Sequence, residues 1–273
     1  MTSYYNNKNV WVFGGSQGIG LEAACQLAQQ GAHVHIFARR ESVLQEAKEK
    51  IIAHKLGEAE QRIDYTPADV TDADKLVEQI DRLVQEWGCP DIVINCAGQA
   101  RPNYFENITA QQFEQTLKLN VIGVRNIVAA VLPHMRKQTG GHIVNTSSIA
   151  GFIGVFGYTD YSASKFAIVG FSEALQAEVK KDNIQVSILY PPDTYTEGFE
   201  EEEKTKPKET RAVSGNNKPV TPDVVAKALV KQLPKRKFHI IPNFDSRLSH
   251  VIKRWWPSLV TWIMDRDIKK AQQ

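Results

Sequence analysis

Near its start the chain reads Gly14-Gly15-Ser16-Gln17-Gly18-Ile19-Gly20, between an apolar β-like run and an amphipathic helical run. Glycines at this Gly-x3-Gly-x-Gly spacing allow positive φ and let a ligand approach the backbone closely. The start of the following helix offers free N–H donors and positive potential. Glycines also form plain tight turns, but here both flanking elements suit the first role. The stretch therefore predicts a turn that binds the pyrophosphate of a dinucleotide.

Around this turn, short β-like runs alternate with helical runs of 3.6-residue periodicity. The predicted strands are Asn9–Gly14, His33–Ala38, Arg62–Thr66, Asp91–Asn95, His142–Ser147, Gln185–Tyr190 and Phe238–Pro242. Alternation of this kind predicts parallel strands joined by right-handed helical crossovers. The fold class is therefore α/β.

Composition narrows the function classes. The chain has 273 residues, 42% of them hydrophobic, and a net charge of +2, which fits one large globular domain or two small ones. The balanced charge argues against a nucleic-acid partner. Three cysteines without metal-ligand spacing predict neither a disulfide framework nor a metal site. The polar start, Met1–Lys8, gives no secretory signal, so a cytoplasmic location is expected.

The end of the second strand indicates which dinucleotide is bound. A fold specific for NAD usually has a carboxylate there, whereas this chain reads Phe37-Ala38-Arg39-Arg40. A guanidinium can bind the 2′-phosphate of NADP(H) through paired charge-assisted hydrogen bonds. The alternative is that Arg39 and Arg40 are simply exposed at the start of a helix. The sequence favours NADP(H).

One polar segment interrupts the alternation. Residues 193–219 carry the acidic run Glu200–Glu203 and follow the end of a strand. A solvated loop is one interpretation, but loops this long in compact domains are often functional. We predict that 193–219 is a substrate lid.

Four polar residues form a candidate catalytic set. Tyr161 and Lys165 are four residues apart at the start of a helical run, so they share one helix face. Ser148 precedes Tyr161 by 13 residues at the end of an apolar strand, and Asn120 lies in a helical run. Each could separately be a cap or a surface residue, but their joint occurrence is specific.

With these motifs in this order, the chain resembles the short-chain dehydrogenases/reductases over about residues 9–242. The resemblance implies a single-domain Rossmann fold with a doubly wound, seven-stranded parallel sheet over residues 1–243. It also implies that Tyr161 is the acid/base, that Lys165 holds the nicotinamide ribose and lowers the pKa of Tyr161, that Ser148 polarises the carbonyl, and that Asn120 holds a relay water. Beyond the glycine turn, Arg39, Arg40, Tyr161 and Lys165, the implied cofactor contacts are Asp69, Val70, Asn95, Ala97, Gly98, Pro191, Thr194 and Thr196.

A second match is narrower. The chain reads Tyr190-Pro191-Pro192-Asp193-Thr194-Tyr195-Thr196-Glu197-Gly198-Phe199 and then Lys206-Pro207-Lys208-Glu209-Thr210. This pattern is similar to the 3-ketodihydrosphingosine reductases and implies a long-chain keto-lipid substrate. Glu197 stands where that group usually has Pro, Phe13 where it usually has Thr, and we expect no counterpart of the amino-terminal membrane anchor of its animal members.

The carboxyl-terminal tail, residues 244–273, is basic and rich in tryptophan. From Lys231 onward the chain carries +7, which leaves −5 on the rest, and Trp255, Trp256 and Trp262 lie in this part. Apolar residues recur near helical spacing, with a break expected at Pro257. Such an amphipathic element suits a membrane surface. The alternative is that its apolar stripe packs on the domain or on another subunit.

Together these patterns predict an NADPH-dependent reductase of a long-chain keto lipid, 3-ketodihydrosphingosine above all, acting in sphingolipid biosynthesis. It is expected to be a homo-oligomer, dimer or tetramer, and to be peripheral on the cytoplasmic face of a membrane. One alternative is the same chemistry on a 3-oxoacyl thioester or a steroid. Another is a non-catalytic NADP-binding membrane scaffold.

Overall fold

A seven-stranded parallel sheet forms the centre of the computed structural model, which describes residues 3–57, 60–215 and 218–273. The strands are β1 Asn9–Phe13, β2 His33–Ala38, β3 Ile63–Pro67, β4 Ile92–Asn95, β5 Gly141–Thr146, β6 Ile184–Leu189 and β7 His239–Ile240. Their order across the sheet is β3-β2-β1-β4-β5-β6-β7, and all neighbours are parallel. The predicted α/β Rossmann sheet is confirmed, and each strand lies within two residues of its predicted bounds.

Helices cover both faces of this sheet. They are α1 Gly18–Gln29, α2 Glu41–Ile52, α3 Ala73–Trp87, α4 Ala110–Leu117, α5 Gly123–Lys137, α6 Thr159–Val179, α7 Glu197–Glu203, α8 Lys208–Ser214, α9 Pro222–Gln232, α10 Phe244–Trp255 and α11 Pro257–Gln272. A π-helical turn, Lys118–Ile122, joins α4 to α5.

The two large hydrophobic cores follow from the two-residue period of the strands. In β1, Val10 and Val12 point to the face covered by α1, α2 and α9. Trp11 and Phe13 point to the other face, covered by α3, α5 and α6. Because both faces are covered, the central strands are apolar throughout. Phe13, one of the departures noted above, is fully buried and stacks on Phe37 with ring centroids 4.1 Å apart, so it serves the core.

A crevice opens where the chain direction across the sheet reverses. β1 pairs with β2 on one side and with β4 on the other, so the connections leave their carboxyl ends in opposite directions. In parallel sheets, ligands bind at this switch point. The turn after β1 is tied there because Gly14 N donates to Phe37 O and Cys96 N donates to Phe13 O, both at 2.8 Å.

The segment predicted as a lid contains two short helices, α7 and α8. Its ends are joined by a parallel bridge between Thr194 and Val220, in which Tyr195 N donates to Val220 O and Val220 N donates to Asp193 O, both at 2.9 Å. The segment therefore leaves the end of β6 and returns to nearly the same point. Residues 216 and 217 of the predicted lid lie outside the described residues.

The tail forms α10 and α11, which meet at Trp256. Pro257 opens α11, at the break that its ring predicts. α11 packs against α8, where Gln272 Nε2 contacts Glu209 Oε1 at 3.5 Å. The apolar side chains of the tail remain largely exposed, including Trp255 at 69% and Trp262 at 60%.

One helical stretch in the described residues, Ala110–Lys137, has the length and hydropathy of a membrane span. It comprises α4, the π-helical turn and α5, and half of its most apolar window is buried inside the protein. Burial of this kind is typical of a core helix in a globular fold.

Two buried histidines predict a loss of stability in acid. His35 and His142 lie in β2 and β5, where burial lowers the pKa of each from 6.5 to about 3. In the unfolded chain they take up protons near pH 6.5, so they favour unfolding as the pH falls from about 6.5 towards 3. The slope approaches about 1.4 kcal/mol per pH unit for each histidine. Thermal melts should give a lower Tm at pH 5 than at pH 7.5. The drop should be smaller in a His35→Gln/His142→Gln variant, and an equal drop in both proteins would contradict this explanation.

Candidate active site

The glycine turn brings bare backbone to the mouth of the crevice. Gly14 has φ +78°, and a Cβ there would lie 2.6 Å from the backbone nitrogen of Ala97. A Cβ on Gly20 would collide with the carbonyl oxygen of Gly14. The turn can therefore approach the end of β4 only with glycine at both positions. Gly18 has φ +57° and opens α1.

A cavity of about 340 Å³ lies at this turn. It is lined by predicted cofactor contacts, namely Gly14, Ser16, Gln17, Gly18, Ile19, Gly20, Arg39, Arg40, Asp69, Val70, Ala97, Gly98 and Thr196. It is also lined by residues that sequence reasoning missed, namely Phe37, Ala38, Ala68, Cys96, Leu119, Thr146, Glu197 and Gly198. Most of the missed residues adjoin a predicted one in sequence, so extending each motif by one or two positions would have found them.

Some predicted cofactor contacts do not line this cavity. They are Gly15, Asn95, Pro191, Thr194, Tyr161 and Lys165. Gly15 packs on β2, where a Cβ would lie 2.7 Å from Cγ2 of Ile36. Asn95 is buried and its Nδ2 donates to Asn145 Oδ1 at 2.7 Å, which couples β4 to β5. Pro191 and Thr194 are buried beyond the end of β6.

The two arginines after β2 have different surroundings. Arg40 Nη2 donates to Oε1 of Gln17 at 2.6 Å, so Arg40 braces the glycine turn. Arg39 lines the cavity, and its charge acts on Asp69. Burial alone would raise the pKa of Asp69, but two hydrogen bonds from Thr71 and the charge of Arg39 outweigh it, and the pKa lies below its ordinary value.

Three of the four predicted catalytic side chains meet between the end of β5 and the start of α6. Lys165 is buried, its Nζ donates to Thr146 O at 3.0 Å, and it lies 5.5 Å from the centre of the Tyr161 ring. Ser148 precedes a short 3₁₀ turn, where its Oγ accepts from Ala150 N at 3.2 Å. From there its hydroxyl interacts with the phenol of Tyr161 and acts to lower the pKa of that phenol.

Asn120 joins the loop after β4 to α6. It lies fully buried in the π-helical turn, a type of distortion frequent at functional sites. Its Oδ1 accepts from Gln99 N at 2.9 Å, and its Nδ2 donates to Gln99 O at 2.9 Å and to Ser164 Oγ at 3.0 Å. A Cβ added to Gly98 would lie 3.1 Å from Asn120 Oδ1 and 3.5 Å from Lys165 Nζ, so Gly98 passes close to both.

Burial and a charge on the candidate lid act on the pKa of Tyr161. Burial raises the pKa of Tyr161 above its ordinary value, the charge of Glu202 raises it further, and Ser148 only partly opposes them. Lys165 is not among the groups that cause this shift, so the lowering of the Tyr161 pKa by Lys165 stays a prediction. Burial also lowers the pKa of Lys165 to about 8, which weakens its positive charge.

Asp160, which sequence reasoning missed, fixes the start of α6. It is fully buried, and its carboxylate accepts from Thr116 Oγ1 and from the backbone nitrogen of Tyr161, both at 2.7 Å. A carboxylate in the first turn of a helix is favoured by the helix dipole. Asp160 therefore holds the backbone of Tyr161 in place, and it does not itself line the cavity. Its position beside Tyr161 was the only signal in the sequence.

The candidate lid reaches both parts of the site. Thr196 caps α7, with its Oγ1 accepting from Phe199 N at 3.1 Å, and its methyl group lies against Gly18. Glu197 occupies the first position of α7, where Pro and acidic residues are both favourable, so this departure leaves the helix intact. Farther along α7, Glu202 accepts from Tyr158 Oη at 2.8 Å, and the Tyr158 ring lies 5.4 Å from the Tyr161 ring.

Residues 8–207 match the family described as short chain dehydrogenase. The chain belongs to this family. Among solved structures, it is similar to a short chain dehydrogenase/reductase from Burkholderia phymatum in complex with NAD, with TM-score 0.80, 21% identity, and coverage of 93% of this chain and 95% of that one. This likeness shows the fold.

Curated relatives carry narrower names. The chain is 40% identical to a 3-ketodihydrosphingosine reductase of Bos taurus over 232 residues, which are 85% of this chain and 70% of the relative. It is 36% identical to a protein of the same name in Dictyostelium discoideum, over 90% of this chain and 77% of that one. It is also 34% identical to a 3-oxoacyl-[acyl-carrier-protein] reductase of Chlamydia muridarum, over 76% of this chain and 79% of that one.

The contrast between the two arginines gives a testable prediction. Arg39→Ala should weaken binding of NADPH about tenfold or more and leave NADH binding nearly unchanged, because a charged 2′-phosphate contact is lost. Arg40→Ala should weaken both cofactors to a similar degree, because Arg40 braces the shared glycine turn. Fluorescence titration of each variant with each cofactor measures the effect. Equal losses of NADPH and NADH binding in Arg39→Ala would refute the phosphate assignment.

Proposed function

We propose that this protein reduces the 3-keto group of 3-ketodihydrosphingosine to give dihydrosphingosine, with NADPH, in sphingolipid biosynthesis. The observation that carries the proposal is the identity of 36–40% to proteins named 3-ketodihydrosphingosine reductase, over 85–90% of the chain. Membership of the short chain dehydrogenase family makes it an oxidoreductase. The intact set of Ser148, Tyr161 and Lys165 supports catalysis over a scaffold role, because a binding module has no need of the phenol.

The crevice fits a dinucleotide by its own features. Gly14 and Gly20 leave backbone bare where any Cβ would clash, and Gln17 leaves the first N–H groups of α1 uncapped by its own side chain. Three groups of residues would hold the cofactor. The pyrophosphate would be held by residues 14–20, and the adenosine by Arg39, Arg40, Asp69 and Val70. The nicotinamide would be held by Ala97, Gly98, Tyr161, Lys165 and Thr196. Asn95, Pro191 and Thr194 would support these residues from behind, at the ends of β4 and β6.

The side chains divide the work of ketone reduction. The nicotinamide, when bound, supplies the hydride. Tyr161 donates its proton to the carbonyl oxygen as negative charge develops there, and its raised pKa keeps the phenol protonated until that moment. Ser148 donates a hydrogen bond that polarises the same oxygen. Lys165 would orient the ribose. Asn120 links Gln99 to α6, and at this place it would hold the water that returns a proton towards Lys165.

A second substrate class has an observation in its favour. The Chlamydia muridarum relative named 3-oxoacyl-[acyl-carrier-protein] reductase is 34% identical over 206 residues. Its name describes a ketone at the same distance from a chain terminus, but on a thioester without an amine. The same crevice and the same three side chains would serve that reaction. Turnover therefore has to be measured on both substrates.

The test is NADPH oxidation with 3-ketodihydrosphingosine in lipid vesicles, alongside a 3-oxoacyl thioester and NADH as comparators. We expect the fastest turnover with NADPH and the sphingoid ketone. Tyr161→Phe should reduce kcat by at least about 10²-fold, because it removes the proton donor, while NADPH still binds. Full activity in Tyr161→Phe would contradict the mechanism. Faster turnover of the thioester would replace the substrate assignment.

We further propose that the tail holds the protein on the cytoplasmic face of a membrane. The exposed side chains of the tail include Trp255, Trp256 and Trp262, each more than half exposed. Lys253 and Arg254 precede them in the sequence, and Arg266, Lys269 and Lys270 follow them. Trp and basic residues suit the interface between lipid headgroups and acyl chains. α11 also packs on α8, so a membrane-bound tail would bring the candidate lid to the surface from which a long-chain lipid enters.

The tail proposal predicts a loss of vesicle binding without a loss of the fold. Trp255→Ser/Trp262→Ser should reduce cosedimentation with anionic vesicles severalfold, since exposed indole area is removed and nothing buried is changed. Trp87→Phe provides a contrast within the domain and should bind vesicles as the wild type does. Unchanged cosedimentation of the double variant would contradict the membrane proposal. It would favour packing of the tail against another subunit.

We also propose that the protein is a homo-oligomer, either a dimer or a tetramer. In this family, subunits commonly pair through the helices that carry Asn120 and Tyr161, which here are the helical stretch Ala110–Lys137 and α6. Ile122, just before α5, and Phe166 on α6 are 48% and 45% exposed, so apolar surface is available at these helices. Light scattering of the purified protein separates a dimer or tetramer from a monomer.

A further inference from the structure

We propose that Glu202 binds the ammonium group of the substrate and so selects ketones that carry an amine on the neighbouring carbon. The inference rests on the proposed function and deepens it, because it assigns a recognition element in the candidate lid. In the sequence this residue is one of four in the acidic run Glu200–Glu203, and nothing there distinguishes it from its neighbours.

Glu202 lies one aromatic side chain away from the phenol that would donate the proton. Its carboxylate accepts from Tyr158 Oη at 2.8 Å, and the Tyr158 and Tyr161 rings are 5.4 Å apart between centres. The field of the carboxylate reaches the catalytic groups: it adds to the rise in the pKa of Tyr161 and partly opposes the lowering of the pKa of Lys165 by burial. A ligand atom close to a ketone held at Tyr161 is therefore in the range of this charge.

The two neighbouring acids, Glu201 and Glu203, form ion pairs, whereas Glu202 is hydrogen-bonded to a phenol. Glu201 pairs with Lys204 at 2.5 Å in the solvent, and Glu203 pairs with both Lys206 and Arg211. Among residues 3–57, 60–215 and 218–273, no Lys, Arg or His side chain forms an ion pair with Glu202. Its side-chain hydrogen bond is to the neutral phenol of Tyr158. Burial raises the pKa of its carboxyl, and the charge of Lys206, which pairs with Glu203, only partly opposes this rise.

A half-buried carboxylate without a cationic partner is costly unless a cation arrives. The Tyr158 hydroxyl occupies one of about four acceptor sites on the carboxylate, so the others can receive an ammonium. 3-Ketodihydrosphingosine brings such a cation, because its amine is on the carbon next to the ketone. A 3-oxoacyl thioester has no cation there. Asp193 adds a weaker negative field at Tyr161 from an exposed position, and so reinforces the preference.

The competing explanation is that Glu202 only latches α7 to Tyr158. Glu202→Gln separates the two roles, because an amide oxygen still accepts from the phenol while the charge is gone. Glu201→Gln is the matched control: it removes the same charge from the adjacent position of α7, on the solvent side. A latch would act on all substrates alike, whereas an ammonium site would act only on cationic ones.

The kinetic test compares 3-ketodihydrosphingosine with 1-hydroxyoctadecan-3-one, the same ketone without the amine. We expect wild type and Glu201→Gln to prefer the amino ketone by about tenfold or more in kcat/KM. Glu202→Gln should lose most of this preference, through a raised KM for the amino ketone and a nearly unchanged kcat/KM for the deaminated one. An equal loss for both ketones, or an undiminished preference, would overturn the proposal.

A binding test decides the matter independently of turnover. Dihydrosphingosine and octadecane-1,3-diol are titrated in detergent into the NADP⁺-loaded wild type and both variants. Tighter binding of the amine, lost only in Glu202→Gln, supports the ammonium site even if the wild type reduces neither ketone, an outcome that would refute the proposed function alone. Equal binding of amine and diol by the wild type overturns the ammonium site and leaves the reductase function standing.

Discussion

The structure depends on one close approach between backbones. Gly14 lies so near Cys96 and Ala97 that a single methyl group would force the turn after β1 away from the end of β4. Because β1 and β4 are neighbours whose connections diverge, this contact lies in the wall of the crevice between them. The uncapped start of α1 points into the same space. The other residues that line the cavity are arranged around this contact.

The carboxyl ends of parallel strands then gather the chemical groups. The loop after β4 carries Gly98, the loop after β5 carries Ser148, and α6 returns to place Lys165 beneath both. The candidate lid leaves β6 and comes back across Gly18, so α7 spans the distance from the glycine turn to Tyr161. In this half-buried site, charges act strongly on one another. This explains why the pKa of Tyr161 is raised. It also explains how the Glu202 carboxylate on α7, which is hydrogen-bonded only to a phenol, can serve as a recognition element.

Much of this arrangement was predictable from the sequence because it rests on local rules. Apolar strands buried on both faces have a strong pattern, and the glycine turn and the Tyr161–Lys165 pair are each defined by short spacing. Pro257 likewise predicts the break between α10 and α11. The π-helical turn that buries Asn120 has no such signature, since it depends on how α4 and α5 pack against α6. The contact of Glu202 with Tyr158 joins residues 44 apart across two elements, and no period in the sequence encodes it. The raised pKa of Tyr161 was missed for the same reason, because it depends on burial and on a charge supplied by the lid.

The most direct test of the account is a crystal structure of the protein with NADP⁺ and dihydrosphingosine. The account predicts the pyrophosphate on residues 14–20, the 2′-phosphate beside Arg39, the C3 hydroxyl of the lipid at Tyr161 and Ser148, and its ammonium at Glu202. A cofactor bound away from the crevice between β1 and β4, or a lipid whose C3 hydroxyl does not reach Tyr161, would contradict it.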